Sequence, residues 1–201
     1  MNSYFYEEVL PSLKYCPKVI GALKNNKISN ISRIGGEGNI SLVLKENPKA
    51  LKNEVFNILS SPIRLHLDNG DIVAFALDAI KDSVVAWFDL KSGVEGFTSY
   101  YFKDYSEYIF YDDPIFGNKD VWSNIIGSQI EKILILTVDT GKREYMDDSF
   151  QCVVVLECDK SDLVISDQFY KVSGYENSIF TIGNKKDLPQ EVWNKATVFE
   201  L

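Results

Sequence analysis

The chain reads as an α+β protein, mainly antiparallel β-sheet with short flanking helices. Three observations lead there. Short β-branched runs occur in groups and do not alternate with helices, which argues against a parallel βαβ layout. Asn69-Gly70 sits between two such runs, a strong hairpin signal. No long Pro/Gly/Ser linker and no low-complexity tract interrupts the 201 residues.

Taken in order, Tyr4, Phe5, Val9 and Leu10 have helical spacing up to Pro11, and a second short helix is predicted over 12–23, across Pro17. Residues 28–34 and 40–44 flank Gly35, Gly36 and Gly38 and read as a hairpin. Asn47-Pro48 has the form of a helix start, with Ala50, Leu51, Val55, Ile58 and Leu59 as its apolar face. Residues 62–77 read as a hairpin about a two-residue turn. That register sets Leu65 opposite Ala74 and Ile63 opposite Ala76, and puts Arg64 and His66 on the other face beside Phe75 and Val73. A third strand is predicted over 83–90 and a short helix around 120–126. Then follow a strand at 130–138, a polar loop at 140–149, a hairpin from 151–157 and 162–166, a strand at 179–182, a helix over 188–196 led by Pro189, and an apolar tail at Val198-Phe199.

The second half echoes the first. Residues 65–74 and 156–165 share Leu, Asp, Asp and Val at aligned positions, and Ile28-x-x-Ile31 matches Ile130-x-x-Ile133. The chain therefore reads either as two related β-rich units, 1–95 with the amino-terminal helices and an acidic 96–201, or as one continuous domain.

Charge is distributed unevenly. The net charge of -8 falls wholly after residue 100. An acidic surface repels phosphate backbones, which disfavours direct nucleic-acid binding, and it draws in basic proteins. Three cysteines, an odd number in a long chain, do not suggest a disulfide scaffold, and no apolar run is long enough for a membrane helix. The amino terminus lacks the pattern of a signal peptide, so a cytoplasmic location is expected, with no membrane association.

No catalytic, metal or cofactor motif is present. His66 is the one histidine, and Cys152 and Cys158 lack zinc-site spacing and read, with Cys16, as core residues. Arg64, His66, Asp68 and Asp71 lie near one another in sequence and form the one conceivable catalytic group; a surface cluster across two strands is the simpler reading. The carboxylate doublets Asp112-Asp113 and Asp147-Asp148 read as turn formers, and Gly35-Gly36-Glu37-Gly38 lacks the spacing of a phosphate loop.

The most unusual stretch is 97–122, with ten aromatic residues and five carboxylates against Lys103 and Lys119. Tyrosine joins apolar area to a polar tip and recurs at protein interfaces. The predicted partner-binding residues are Tyr100, Tyr101, Asp104, Tyr105, Glu107, Tyr108, Tyr111, Asp112 and Asp113.

In general character the chain resembles the immunity proteins of bacterial toxin systems, those of contact-dependent inhibition among them. The likeness is carried by residues 97–122, the acid-rich second half and the repeated hairpins at 65–74 and 156–165. It implies a non-catalytic inhibitor, monomer or homodimer, without cofactor, that docks on a cognate protein toxin. Against a nuclease toxin, Asp104, Glu107, Asp112 and Asp113 would stand in for nucleic-acid phosphates. The alternative is a structural subunit that assembles into a homo-oligomer.

Overall fold

Strand follows strand in a simple up-and-down order, and each sheet is closed by a late strand that returns beside its first. The structure is a computed structural model describing residues 13–59, 61–78, 83–96, 107–138, 153–167, 180–183, 185–188 and 190–201. The first sheet contains β1 (Ile28–Ile34), β2 (Ile63–Leu67), β3 (Ile72–Asp78), β4 (Ser83–Lys91), β5 (Val94–Glu95) and β6 (Tyr108–Phe110), in the order β5-β4-β3-β2-β1-β6. The second contains β7 (Ile130–Val138), β8 (Val153–Cys158), β9 (Leu163–Asp167), β10 (Phe180–Gly183) and β11 (Ala196–Glu200), in the order β10-β9-β8-β7-β11. All these pairings are antiparallel. The fold is α+β and dominated by sheet, as expected. The division at residue 96 does not follow the sheets, because β6 belongs to the first.

One apolar core joins the inner faces of both sheets. Ile31, Leu65 and Phe75 of the first meet Ile133, Leu156 and Ile165 of the second within it. Helix α1 (Pro17–Asn25) starts with proline where the missing N–H is harmless, and buries Val19, Ala22 and Leu23. The second sheet is apolar on its outer face too. Leu134, Leu136, Val153, Val155 and Val164 form a second cluster there, capped by Leu188 and Val192. That explains the unbroken apolar runs 133–136 of β7 and 153–156 of β8, which have no polar face to alternate with.

Three sequence expectations are corrected. Residues 40–44 belong to helix α2 (Glu37–Glu46) and not to a strand. Gly36 takes the N-cap place, Glu37 suits the first turn, and buried Ile40 and Val43 have helical spacing. Asn47 ends that helix instead of starting another, its N–H bonding Val43 O at 2.9 Å. The segment that follows forms a 3-10 turn (Lys52–Glu54) and the single-turn α3 (Val55–Ile58), with Leu51 exposed.

The third correction is the hairpin register. Gly70 N donates to Leu67 O at 3.0 Å and Leu67 N to Asp71 O at 2.9 Å, so the loop holds three residues, Asp68, Asn69 and Gly70. Gly70 has φ of +86°, the left-handed position such a loop places after its turn. The extra loop residue shifts every pair by one, giving Ile63 with Phe75, Arg64 with Ala74 and Leu65 with Val73. Val73 and Phe75 thus enter the core, and Arg64 and His66 share the outer face with Ala74 and Ile72.

The echo between the halves has a structural counterpart. Ile31 pairs with Leu65 and Ile133 with Leu156, and both ladders carry an irregularity one step before, between Ile28 and Asn30 and between Ile130 and Lys132. Asp68 and Asp159 then do the same work. Asp68 accepts a bond from Lys27 N at 3.1 Å and its own N–H bonds Lys27 O at 3.0 Å. Asp159 accepts one from Gln129 N at 2.9 Å and bonds Gln129 O at 3.1 Å. Lys27 and Gln129 pair with each other as an isolated antiparallel bridge. Past the turns the match slips by one residue, with Leu65 facing Val73 but Leu156 facing Leu163.

The junction of β1 with β6 is held from below. Arg33 is fully buried and donates to Phe56 O at 3.1 Å, Asn57 O at 3.4 Å, Ser61 O at 2.6 Å and Leu59 O. Burial pulls its guanidinium down to about 9, which leaves it charged at neutral pH. Arg33 pairs with Ile109, so the same residue anchors β6.

Replacing either Asp68 or Asp159 by alanine is expected to cost about 1 kcal/mol, the worth of one such bond. Urea unfolding of the two variants measures it; an unchanged midpoint in either would show that the paired carboxylate bonds do not hold the hairpins.

Candidate functional site

The outer face of the first sheet carries a partly buried polar group. Arg64 Nε lies 2.6 Å from Asp89 Oδ2, with both side chains buried. They sit on β2 and β4, so the arginine reaches across β3, and Ala74 on that intervening strand is small enough to let it pass. Asp89 is placed by a break in the β3/β4 register, between the pairs Val73–Phe88 and Ile72–Leu90. A bulge re-aims a side chain in this way. His66 Nε2 and Ser32 Oγ share a hydrogen bond of 2.8 Å, next to the ion pair.

The β6 edge rests on this group. Arg64 lies 4.2 Å from the Tyr108 ring centre, a cation–π contact, and Phe110 lies 6.0 Å from the His66 ring. Desolvation, then the neighbouring Arg64 charge, pull His66 down to about 4, partly offset by Asp89. His66 is therefore neutral at pH 7.

Asp68 and Asp71 do not join His66, contrary to the grouping drawn from sequence. Asp68 turns to Lys27, as described above. Asp71 is buried and accepts bonds from Lys91 at 2.8 Å, Ser92 N at 2.9 Å and Asn69 at 3.1 Å. The bond from Lys91 holds its carboxyl below the ordinary range. The carboxylate that Arg64 needs comes from β4, twenty-five residues along the chain, where local sequence does not point.

Of the predicted binding residues, Tyr100, Tyr101, Asp104 and Tyr105 lie outside the described residues. Glu107 and Asp112 are exposed, Tyr108 and Tyr111 half-buried. Asp113 is a turn former, its carboxylate accepting from Ile115 N at 2.9 Å and Phe116 N at 2.8 Å. Trp122, at the end of the aromatic run, is core: its indole N–H bonds Asn57 at 2.8 Å and its ring meets Phe56 edge-on. Among the described large apolar side chains of this stretch, the exposed ones are ones the tyrosine argument overlooked, Phe110, Ile115 and Val121, at 36%, 53% and 51% exposure. Strand alternation could have found Phe110, since Ile109 enters the core.

Among the described residues no group of His, Cys, Asp and Glu is arranged to hold a metal, and no helix is long and apolar enough to cross a membrane. Cys158 packs half-buried against the core, and burial pushes its thiol up to about 12.

Two measurements probe the group. Asp89→Asn should destabilise by about 3 kcal/mol because it leaves a buried guanidinium unpaired, whereas Arg64→Met with Asp89→Leu should cost far less. Equal losses in denaturant unfolding would mean the pair is not desolvated as described. Because the folded pKa of His66 is depressed, its contribution is intact above pH 6.5 and is lost as pH falls toward 4. The loss is at most about 3 kcal/mol, less where solvent reaches the ring. His66→Gln should lack that part of the acid slope; identical slopes would remove His66 as its source.

The chain matches no family model, no curated protein and no solved structure.

Proposed function

We propose that this chain is a non-catalytic protein-binding inhibitor, an immunity protein that neutralises a basic bacterial toxin. One observation carries the reading. Phe110 on the edge strand β6, and Ile115 and Val121 after it in the chain, are exposed within a few residues of the exposed carboxylates Glu107, Asp112 and Asp120. Exposed apolar side chains interspersed along the chain with more acids than bases suit a basic protein, which gains buried area from the first and charge pairing from the second. The buried group behind supports a positioning role over catalysis. Ser32 is fully buried, and Arg64 and Asp89 occupy each other. Arg64 lies against the Tyr108 ring and His66 against the Phe110 ring.

The test takes the product of the reading frame upstream of this gene. A basic toxin-like carboxyl-terminal domain there should co-elute with the wild-type chain on size exclusion. Phe110→Ala, Ile115→Ser and Val121→Ser together should abolish that complex while leaving the thermal midpoint nearly unchanged, because all three side chains are exposed. Absence of such a domain upstream, or a complex that survives the triple variant, defeats the reading.

A further inference from the structure

β6 is an edge strand whose main chain points outward at chosen places. Gly35 N donates to Glu107 O at 2.8 Å and Tyr111 N to Ile31 O at 3.1 Å. Those bonds assign residues 107, 109 and 111 to β1, so the N–H and C=O groups of Tyr108 and Phe110 face away from it. Phe110 O is taken by Asp113 N at 3.0 Å, the turn that ends the strand. Tyr108 N–H, Tyr108 C=O and Phe110 N–H remain, and among the described residues no strand pairs with them. An exposed sheet edge is a template for another strand, and proteins commonly guard it with charge. Here the guards are acidic at both ends, Glu107 before the strand and Asp112 after it, and residues 107–118 contain no lysine or arginine.

We infer that the β6 edge takes up an extended, lysine- or arginine-bearing strand of the partner, which pairs with the main chain of Tyr108 and Phe110 and extends the first sheet. The inference rests on the protein-binding reading above and names how the partner is held. The charge at the edge selects the occupant: an acidic strand meets Glu107 and Asp112 as like charges, and a basic one meets them as counter-ions. Phe110 offers an apolar contact on the outer face, and the bonds of Arg33 and the ring contacts of Arg64 and His66 hold the edge in shape. β11 supplies an internal comparison. It is the corresponding edge of the second sheet, with Val198 and Glu200 facing outward because Leu201 N bonds Ile133 O at 2.9 Å. Its charges are mixed: Lys14 lies over Phe199 and Lys132 pairs with Glu200.

The experiment is amide hydrogen exchange by NMR on the whole chain with a capped peptide, Lys-Val-Lys-Val-Lys, and its counterpart with glutamate for lysine. The lysine peptide should slow exchange several-fold at Tyr108 and Phe110 and leave Val198 and Glu200 unchanged; the glutamate peptide should protect neither edge. Glu107→Lys with Asp112→Lys should weaken the lysine peptide about tenfold, as expected for two rim charges reversed. Methylating alternate peptide nitrogens should remove the protection. The inference is overturned if the lysine peptide fails to bind, binds without slowing Tyr108 and Phe110, or protects β11 equally. The same exchange read on the toxin complex separates the two readings. A complex that leaves Tyr108 and Phe110 unprotected refutes strand addition but keeps the protein-binding function, and loss of the complex refutes the function itself.

Discussion

Both sheets depend on one repeated constraint, a turn carboxylate bonded to the residue that opens the first strand. Asp68 holds Lys27 and Asp159 holds Gln129, and those two held residues bridge each other. The hairpin tip is thereby tied to the start of the neighbouring strand, which fixes where pairing begins. A one-residue slip would send every core side chain to the wrong face, so the cost of losing register far exceeds that of the bonds that set it. Because the two tied points meet, the sheets are joined where each begins, and their inner faces close on one core.

The outer faces diverge from that shared frame. On the second sheet, valines and leucines are covered by Leu188 and Val192, and both faces are apolar. On the first, β2 carries Arg64 and His66 where β8 carries Val155 and Glu157 in the aligned segment. A buried ion pair stabilises little against an apolar alternative, since desolvation consumes most of the attraction. Its effect here is to locate. Arg64 reaches Asp89 across the strand that carries Ala74, at the bulge between Phe88 and Leu90. Once neutralised, its guanidinium plane is free to carry the Tyr108 ring. The polar group thus sets the position of β6.

Much of the sheet was legible in the sequence because β-branched runs bounded by turn residues require little else. The strands at 28–34, 83–90 and 130–138 are of this kind. The errors fall where two local signals compete. Residues 40–44 are β-branched enough for a strand, yet Gly36, Glu37 and the spacing of Ile40 and Val43 form a helix. Asn69-Gly70 is a turn in either register, and whether the loop holds two residues or three depends on bonds to Asp71 that no dipeptide reveals. The candidate site was less legible still. Asp89 joins Arg64 by way of a bulge, and Ser32 joins His66 across strands thirty-four residues apart.

The aromatic run shows why composition misleads about exposure. Tyrosine suggests a surface through its hydroxyl, yet Tyr108 and Tyr111 lay their rings on the protein, one over Arg64 on the outer face and one against the core. Phenylalanine suggests a core, yet Phe110 must face outward once Ile109 faces inward on a strand of three residues. Alternation is a backbone property and overrides the preference of a single side chain when its neighbour is the better core residue. An outward phenylalanine loses apolar burial that the isolated chain does not return. It costs least where its ring leans on His66 and where carboxylates at each end keep other acidic chains away. The same acids admit a basic one. The arrangement that makes Phe110 tolerable in the free protein therefore also determines the charge of the partner able to cover it.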